Sequence, residues 1–293
     1  MFDVGTWTCV PWEPPLASGP TFKNPPVGEV ALSVQHEPLA RLTPPKVARY
    51  WERVREAFPN WSTHPPINAA FETFGLPTVR RARLSFEVAN APGPTRAMFE
   101  DDDGDHLMQL QPDRFVRNWR RFKNQDAEYP RYATVHRPEF KTAVQDYLQF
   151  LAEWEIGDLM PNQVEVTYVN HVEPEGVWQR HGQLAAVLAV LSGQHSDAHL
   201  AEPEAIDVNL RYIIPGDDGD PVGRLHITVR PVYRARDLTP LFAINLTARV
   251  GISGGGVDDV LREMDRGHDF LVSAFRSITT AEMHKMWGLE DER

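Results

Sequence analysis

Two stretches of the chain read almost alike: EVALSVQHEP from Glu29 to Pro38, and EVTYVNHVEP from Glu165 to Pro174. Glu, Val, Glu and Pro stand at the same offsets in both, and each stretch has a proline four residues ahead, Pro25 and Pro161. In the first copy Val30, Leu32 and Val34 fall at alternate positions, the two-residue period of a strand with one buried face. A strand motif that occurs twice in 293 residues points to two structural units in tandem. The order of the other elements agrees with that.

In the first unit TPPKVARYWERVREAFP follows the strand. Thr43 can cap a helix, the prolines suit its first turn, and Val47, Tyr50, Trp51, Val54 and Phe58 fall on one stripe before Pro59. β-structure is expected over 79–122, with DDDGD as an acidic hairpin turn. A helix follows across RPEFKTAVQDYLQFLAEW, with Gly157 past its end. The second unit repeats the plan. QVEVTYVNHV reads as a strand and QLAAVLAVLSG as a short helix closed by Gly193. A hairpin is then expected around a second acidic turn, in IDVNLRYIIPGDDGDPVGRLHITVRPVY. LFAINLTARVGI is a further strand, and GVDDVLREMDRGHDFLVSAFRSI a long helix. In the closing TTAEMHKMWG, Thr279 and Glu282 have capping-box spacing.

The predicted organisation is therefore a proline-rich extended arm over 1–23, a first repeat over 24–157 and a second over 158–293. The fold class is α+β: two tandem β-α-β(n)-α repeats with antiparallel sheets, related by a pseudo-twofold axis. Units of this kind share a continuous sheet or a seam, and seams are common places for ligand clefts.

Composition narrows the partners. No run approaches the 18 apolar residues that a membrane span needs, and the N-terminal segment lacks the basic and apolar regions of a signal peptide. The single cysteine, Cys9, excludes an intrachain disulfide and fits a reducing cytosol, so a cytoplasmic protein is expected. A formal net charge of −11 opposes a phosphate backbone, so nucleic acid is not the expected partner. A protein partner or a small ligand is.

NPPVGEVALSVQHEPL, DRFVRNWRR, YPRY, VEVTYVNHV and TTAEMHKMWG together resemble a sporadically distributed bacterial protein family of the TIGR series, without an assigned activity. The resemblance runs from about Asn24 to Gly288. It brings no catalytic residues to carry over. The patchy occurrence of that family implies genes that travel with defence, toxin–antitoxin or mobile-element cargo.

The motifs that could carry chemistry mostly fail on their own terms. Counted from Asp101, DDDGD puts His106 where a calcium loop needs glycine and Pro112 where it needs glutamate, so a hairpin turn is the better reading. HSDAH pairs His195 and His199 at helical spacing but lacks the catalytic glutamate and lies in an expected loop. GISGGGVDDV has no Gly-Lys-Ser/Thr, and Asp258 and Asp259 occupy the first turn where an anion would sit; it reads as a cap. No nucleophile elbow occurs. No catalytic residue, metal site or cofactor is assigned.

DRFVRNWRRFK is the most suggestive stretch, because arginine forks interleaved with aromatics suit a phosphate, a base or an acidic patch. The candidate ligand-binding residues are Arg114, Arg117, Asn118, Trp119 and Arg121, with Asn170 from the second unit. Three functions follow in order. The first is a non-enzymatic binding or regulatory component with a protein partner, antitoxin-like or defence-associated. The second is a small-molecule or nucleotide sensor with a cleft between the repeats, lined by the Arg-rich strand. The third is a hydrolase or nuclease, which would need two or more of Asp113, Glu165, His171, Glu173 and His181 to converge.

Overall fold

The computed structural model describes residues 19–75, 95–123, 128–174, 176–191, 199 and 202–290. Residues 1–18 of the expected arm, with Cys9, lie outside the described residues, as do VRRARLSFEV, Gly193 and His195.

In chain order the elements are β1 (Thr21–Phe22), β2 (Val27–His36), α1 (Pro44–Val54), β3 (Asn60–His64), β4 (Arg96–Glu100), β5 (His106–Gln111) and β6 (Arg114–Arg120). They continue with α2 (Arg137–Glu153), β7 (Pro161–Val172), β8 (Val208–Pro215), β9 (Pro221–Tyr233), β10 (Pro240–Gly251), α3 (Val257–Ile278), α4 (Ala281–Trp287) and β11 (Leu289–Glu290). β1 pairs with β11, and the other nine strands form one antiparallel sheet in the order β3-β4-β5-β6-β2-β7-β10-β9-β8. The two strands that carry the similar decapeptides, β2 and β7, are neighbours in the middle, so the sheet is continuous.

Both acidic turns close hairpins. DDDGD joins β4 to β5 with Gly104 at φ 71°, and GDDGD joins β8 to β9 with Gly219 at φ 86°. Only glycine takes that left-handed conformation without cost.

The sheet's two faces differ in kind. Val30, Leu32 and Val34 of β2, Val164 and Val166 of β7, and Phe242 to Val250 at alternate positions of β10 are buried on the face that carries α2 and α3. α1 joins that layer through Tyr50, whose ring lies 5.0 Å from Phe150, 5.4 Å from Tyr147 and 6.5 Å from Phe99. The opposite face is polar. Gln111, Arg114, Gln35 and Gln163 are direct cross-strand neighbours on one rung spanning β5, β6, β2 and β7. The rung beside it runs Ser33, Glu165, Arg249 and Arg224 across β2, β7, β10 and β9.

Two local expectations change. The helix expected over QLAAVLAVLSG is two short 3₁₀ turns, His181–Ala186 and Ala189–Leu191. The cause is a competing partner: Thr280 donates its hydroxyl to the Ala186 carbonyl at 2.8 Å and its N–H to the Val187 carbonyl at 3.0 Å. Carbonyls that a longer helix would use are already taken. Thr280, not Thr279, is therefore the cap of α4, and it accepts the Met283 N–H at 3.4 Å. Thr279 instead donates to the Phe275 carbonyl in the last turn of α3, at 2.7 Å.

Candidate functional site

A cleft of about 530 Å³ opens where the entry to α2, the middle of α3 and the floor strand β7 meet. The local backbone explains its shape. Residues Tyr132–His136 form a single wide turn before α2, with the His136 N–H reaching back five residues to the Arg131 carbonyl at 3.3 Å. Such π-type turns swing side chains out of the ordinary helical register and recur at functional sites. In this chain the turn buries Tyr132 and His136 and delivers Arg137 to α3.

Asp265 on α3 ties the wall together. Arg137 grips it with two nitrogens, Nε to Oδ1 at 2.7 Å and an Nη to Oδ2 at 2.8 Å, and the Tyr132 hydroxyl donates to Oδ1 at 2.8 Å. A planar two-point grip fixes both partners. The Tyr132 ring then stacks on His268, centroids 3.8 Å apart and 9° from parallel. On the floor, the hydroxyls of Tyr168 and Tyr129 are 2.8 Å apart, and Asn170 donates to the Ile244 carbonyl at 3.2 Å. Phe22 and Phe275 close the apolar end, edge to face at 5.8 Å.

Burial sets the protonation of the tyrosines. It pushes Tyr129 up to about 12, raises Tyr168 well above its ordinary value, and raises Tyr132 as well, the last with the Asp265 carboxylate adding to the effect. All three stay protonated at neutral pH, as hydrogen-bond handles on apolar rings. His136, behind them, is held neutral: burial first, then the nearby His106 and Arg117, lowers it to about 3. The cleft can hold a ligand by stacking and hydrogen bonding.

Of the six residues singled out from the sequence, Asn170 lines this cleft. The others are spread by strand alternation. Arg114 and Asn118 point to the polar face, where Arg114 bonds Gln35 at 2.7 Å and Asn118 bonds Gln109 at 2.7 Å and Glu29 at 2.8 Å. Arg117 and Trp119 point to the helical face, where Arg117 meets Glu139 at 3.1 Å and lies over the Phe58 ring. Arg121, just past β6, borders a separate polar hollow with Lys23, His171 and Glu173. The Arg-rich strand thus does not line the cleft.

Of the five acid–base candidates, His171 and Glu173 border the same hollow as Arg121, and the other three go to separate places. Asp113 accepts from Gln111, Glu165 from Arg249, and Glu173 pairs with Arg234, while a His181 ring nitrogen meets the Leu241 carbonyl. Among the described residues no group of three or more His, Cys, Asp or Glu is placed to hold a metal ion, and no helix is long and apolar enough to cross a membrane.

The cleft residues missed from the sequence had a faint signal. Tyr129, Arg131 and Tyr132 are the YPRY motif. Asp265, His268, Asp269 and Val272 recur at spacings of three and four along α3, a partly polar stripe on a helix read only for its apolar one. No family model, curated protein or solved structure matches the chain, so the family resemblance rests on the motifs themselves.

Proposed function

We propose that this chain is a binding protein whose site is the cleft between α2 and α3. Its ligand is a small, largely apolar molecule with an aromatic face and one or two hydrogen-bonding atoms. The observation that carries this is the cleft itself: about 530 Å³ of space with aromatic walls and a few convergent polar groups. Small-molecule sites usually enclose about 300–1,000 Å³ and are lined in just this proportion. The hydroxyls of Tyr129 and Tyr168 supply the polar contacts, and the Tyr132–His268 stack supplies a flat surface.

Duplication belongs to the same reading, and the pairing of β2 with β7 supports it. At the offset that superposes the two decapeptides, Ala31 is the counterpart of Thr167, and these two residues are direct cross-strand partners. A twofold axis exchanging β2 and β7 has to pass between a residue and its own counterpart. The strands outward follow the same order on both sides: β6, β5 and β4 beyond β2, and β10, β9 and β8 beyond β7. α2 and α3 each follow the strand one step out from the axis, β6 and β10. On that reading the cleft sits at the seam between repeats, where a ligand would sense their relative position.

The test is thermal stabilisation against a panel of small aromatic and heteroaromatic compounds. A ligand at a hundred times its Kd should stabilise the chain by about 2.7 kcal/mol. Val272→Trp, which puts a large ring in the cleft, should abolish the shift while Arg114→Ala leaves it. A hit that stabilises Val272→Trp as well as wild type would place its site elsewhere and defeat the proposal.

A further inference from the structure

The connection from β3 to β4 is longer than its ends require. His64 and Arg96 are cross-strand partners at one edge of the sheet, yet roughly thirty residues separate them. Hairpin connections between neighbouring strands usually take about 2–5 residues. The described part of this one, residues 65–75, leaves the edge and crosses the polar face as far as β9.

What holds it is the sheet reading its main chain. Gln111 accepts the Ile67 N–H at 2.9 Å and donates to the Ile67 carbonyl at 2.8 Å. Gln35 accepts the Ala70 N–H at 3.1 Å, and Gln163 donates to the Ala70 carbonyl at 2.9 Å. Arg224 donates to the Thr73 carbonyl at 3.0 Å. Positions 67, 70 and 73 are therefore held by backbone alone, the three-residue period of a polyproline-type chain, and Pro65 and Pro66 lead into them. One side chain is read by charge: Glu72 bonds Arg224 and, at 2.6 Å, His226, with Arg249 at 3.5 Å. Phe74 lies beneath the Arg224 guanidinium at 5.1 Å, while Phe71 points away and is 64% exposed. The geometry of distances agrees. Five inter-strand steps from β5 to β9 cover about 24 Å, which an extended chain spans in about seven residues, the length from Ile67 to Thr73.

We propose that the polar sheet face is a peptide-binding groove that the chain fills with its own residues 67–74. Its ligand in trans is an extended peptide of a partner protein carrying a carboxylate five residues after the first clamped position and an aromatic two further on. The donors and acceptors of Gln111, Gln35, Gln163 and Arg224 address atoms that every peptide has. Arg224, His226 and Arg249 supply the selectivity for the acid. This is independent of the cleft, on the other side of the sheet. A segment tethered at both ends competes at an effective concentration in the millimolar range, so a partner peptide binds only weakly until that segment is displaced.

The probe is a labelled synthetic peptide with the sequence of residues 65–75, followed by fluorescence anisotropy. It is titrated into wild type and into a chain whose residues 66–74 are replaced by Gly and Ser at equal length. The opened chain, checked for its fold by circular dichroism, should bind at least tenfold more tightly than wild type. The peptide with Glu72→Gln should lose at least tenfold, and so should the opened chain with Gln111→Ala and Gln163→Ala. If the opened chain does not fold, Glu72→Lys in the full chain sets like charge against Arg224 and Arg249 and frees the segment. It should then gain affinity for the wild-type peptide. No binding by a folded opened or Glu72→Lys chain, equal binding by wild type, or indifference to the peptide's acid would each overturn the proposal.

Discussion

Replacing Glu72 by glutamine removes one charge and almost no volume, so its effect isolates the electrostatics of the polar face. Glu72 is only 10% exposed and meets three cationic or ionisable groups, Arg224, His226 and Arg249. Burial alone would raise its carboxyl. The hydrogen bonds and charges of His226 and then Arg224 outweigh burial and hold it down at about 2, against an ordinary 4.5. At 1.36 kcal/mol for each pH unit, that difference corresponds to about 3 kcal/mol of folding stability. Because the folded value lies below the unfolded one, the contribution is present in full above pH 4.5 and is lost as pH falls from 4.5 to 2. Urea denaturation of wild type and Glu72→Gln across that range reads it directly. The variant should be about 2–3 kcal/mol less stable at pH 7, since the amide oxygen keeps part of the hydrogen bonding, and nearly equal to wild type near pH 2. A deficit of the same size at both pH values would show that Glu72 is not held as a carboxylate by this cluster.

Other outcomes follow from single groups. His136 is buried, neutral and held near 3, so wild-type stability should fall as pH drops from 6.5 toward 3, by about 3 kcal/mol at pH 4 from this residue, and His136→Phe should lack that component in pH-dependent unfolding. Among the described residues the buried Tyr147 hydroxyl has no hydrogen-bond partner, so Tyr147→Phe should be neutral or up to about 1 kcal/mol stabilising in urea melts. Gly267→Ala should raise stability by up to about 1 kcal/mol, because a Cβ there meets Val250, Ala248 and Val166 at 3.4–3.6 Å and the helix interior prefers alanine. Gly223→Ala should cost about 1–3 kcal/mol in the same assay, because its Cβ would lie 2.4 Å from the Arg249 carbonyl oxygen.

The sequence showed the long elements because their periodicity is local. The stripe of Phe140, Val144, Tyr147 and Leu151 marks α2, and the alternation around Val30 and Val166 marks β2 and β7. Acidic Gly turns marked both hairpins because the turn chemistry is carried by the turn itself. What could not be read was decided by distant partners. The 3₁₀ turns at His181–Ala186 depend on Thr280, nearly a hundred residues on. The cleft depends on a wide turn at Tyr132 that brings Arg137 to Asp265 across more than a hundred residues. The Arg-rich strand misled for a geometric reason: Arg114 and Arg117 are three apart, which on a strand means opposite faces. The glutamine rung was invisible because Gln35, Gln111 and Gln163 become neighbours only once strand order and register are known.

The most direct test of the cleft as a ligand site is native mass spectrometry of the protein purified gently from its own source, with Val272→Trp prepared in parallel. A small-molecule adduct on wild type that is missing from Val272→Trp is the predicted result, and its mass begins the identification. The same adduct on both chains, or a bare wild type that also ignores the aromatic panel, would contradict the account.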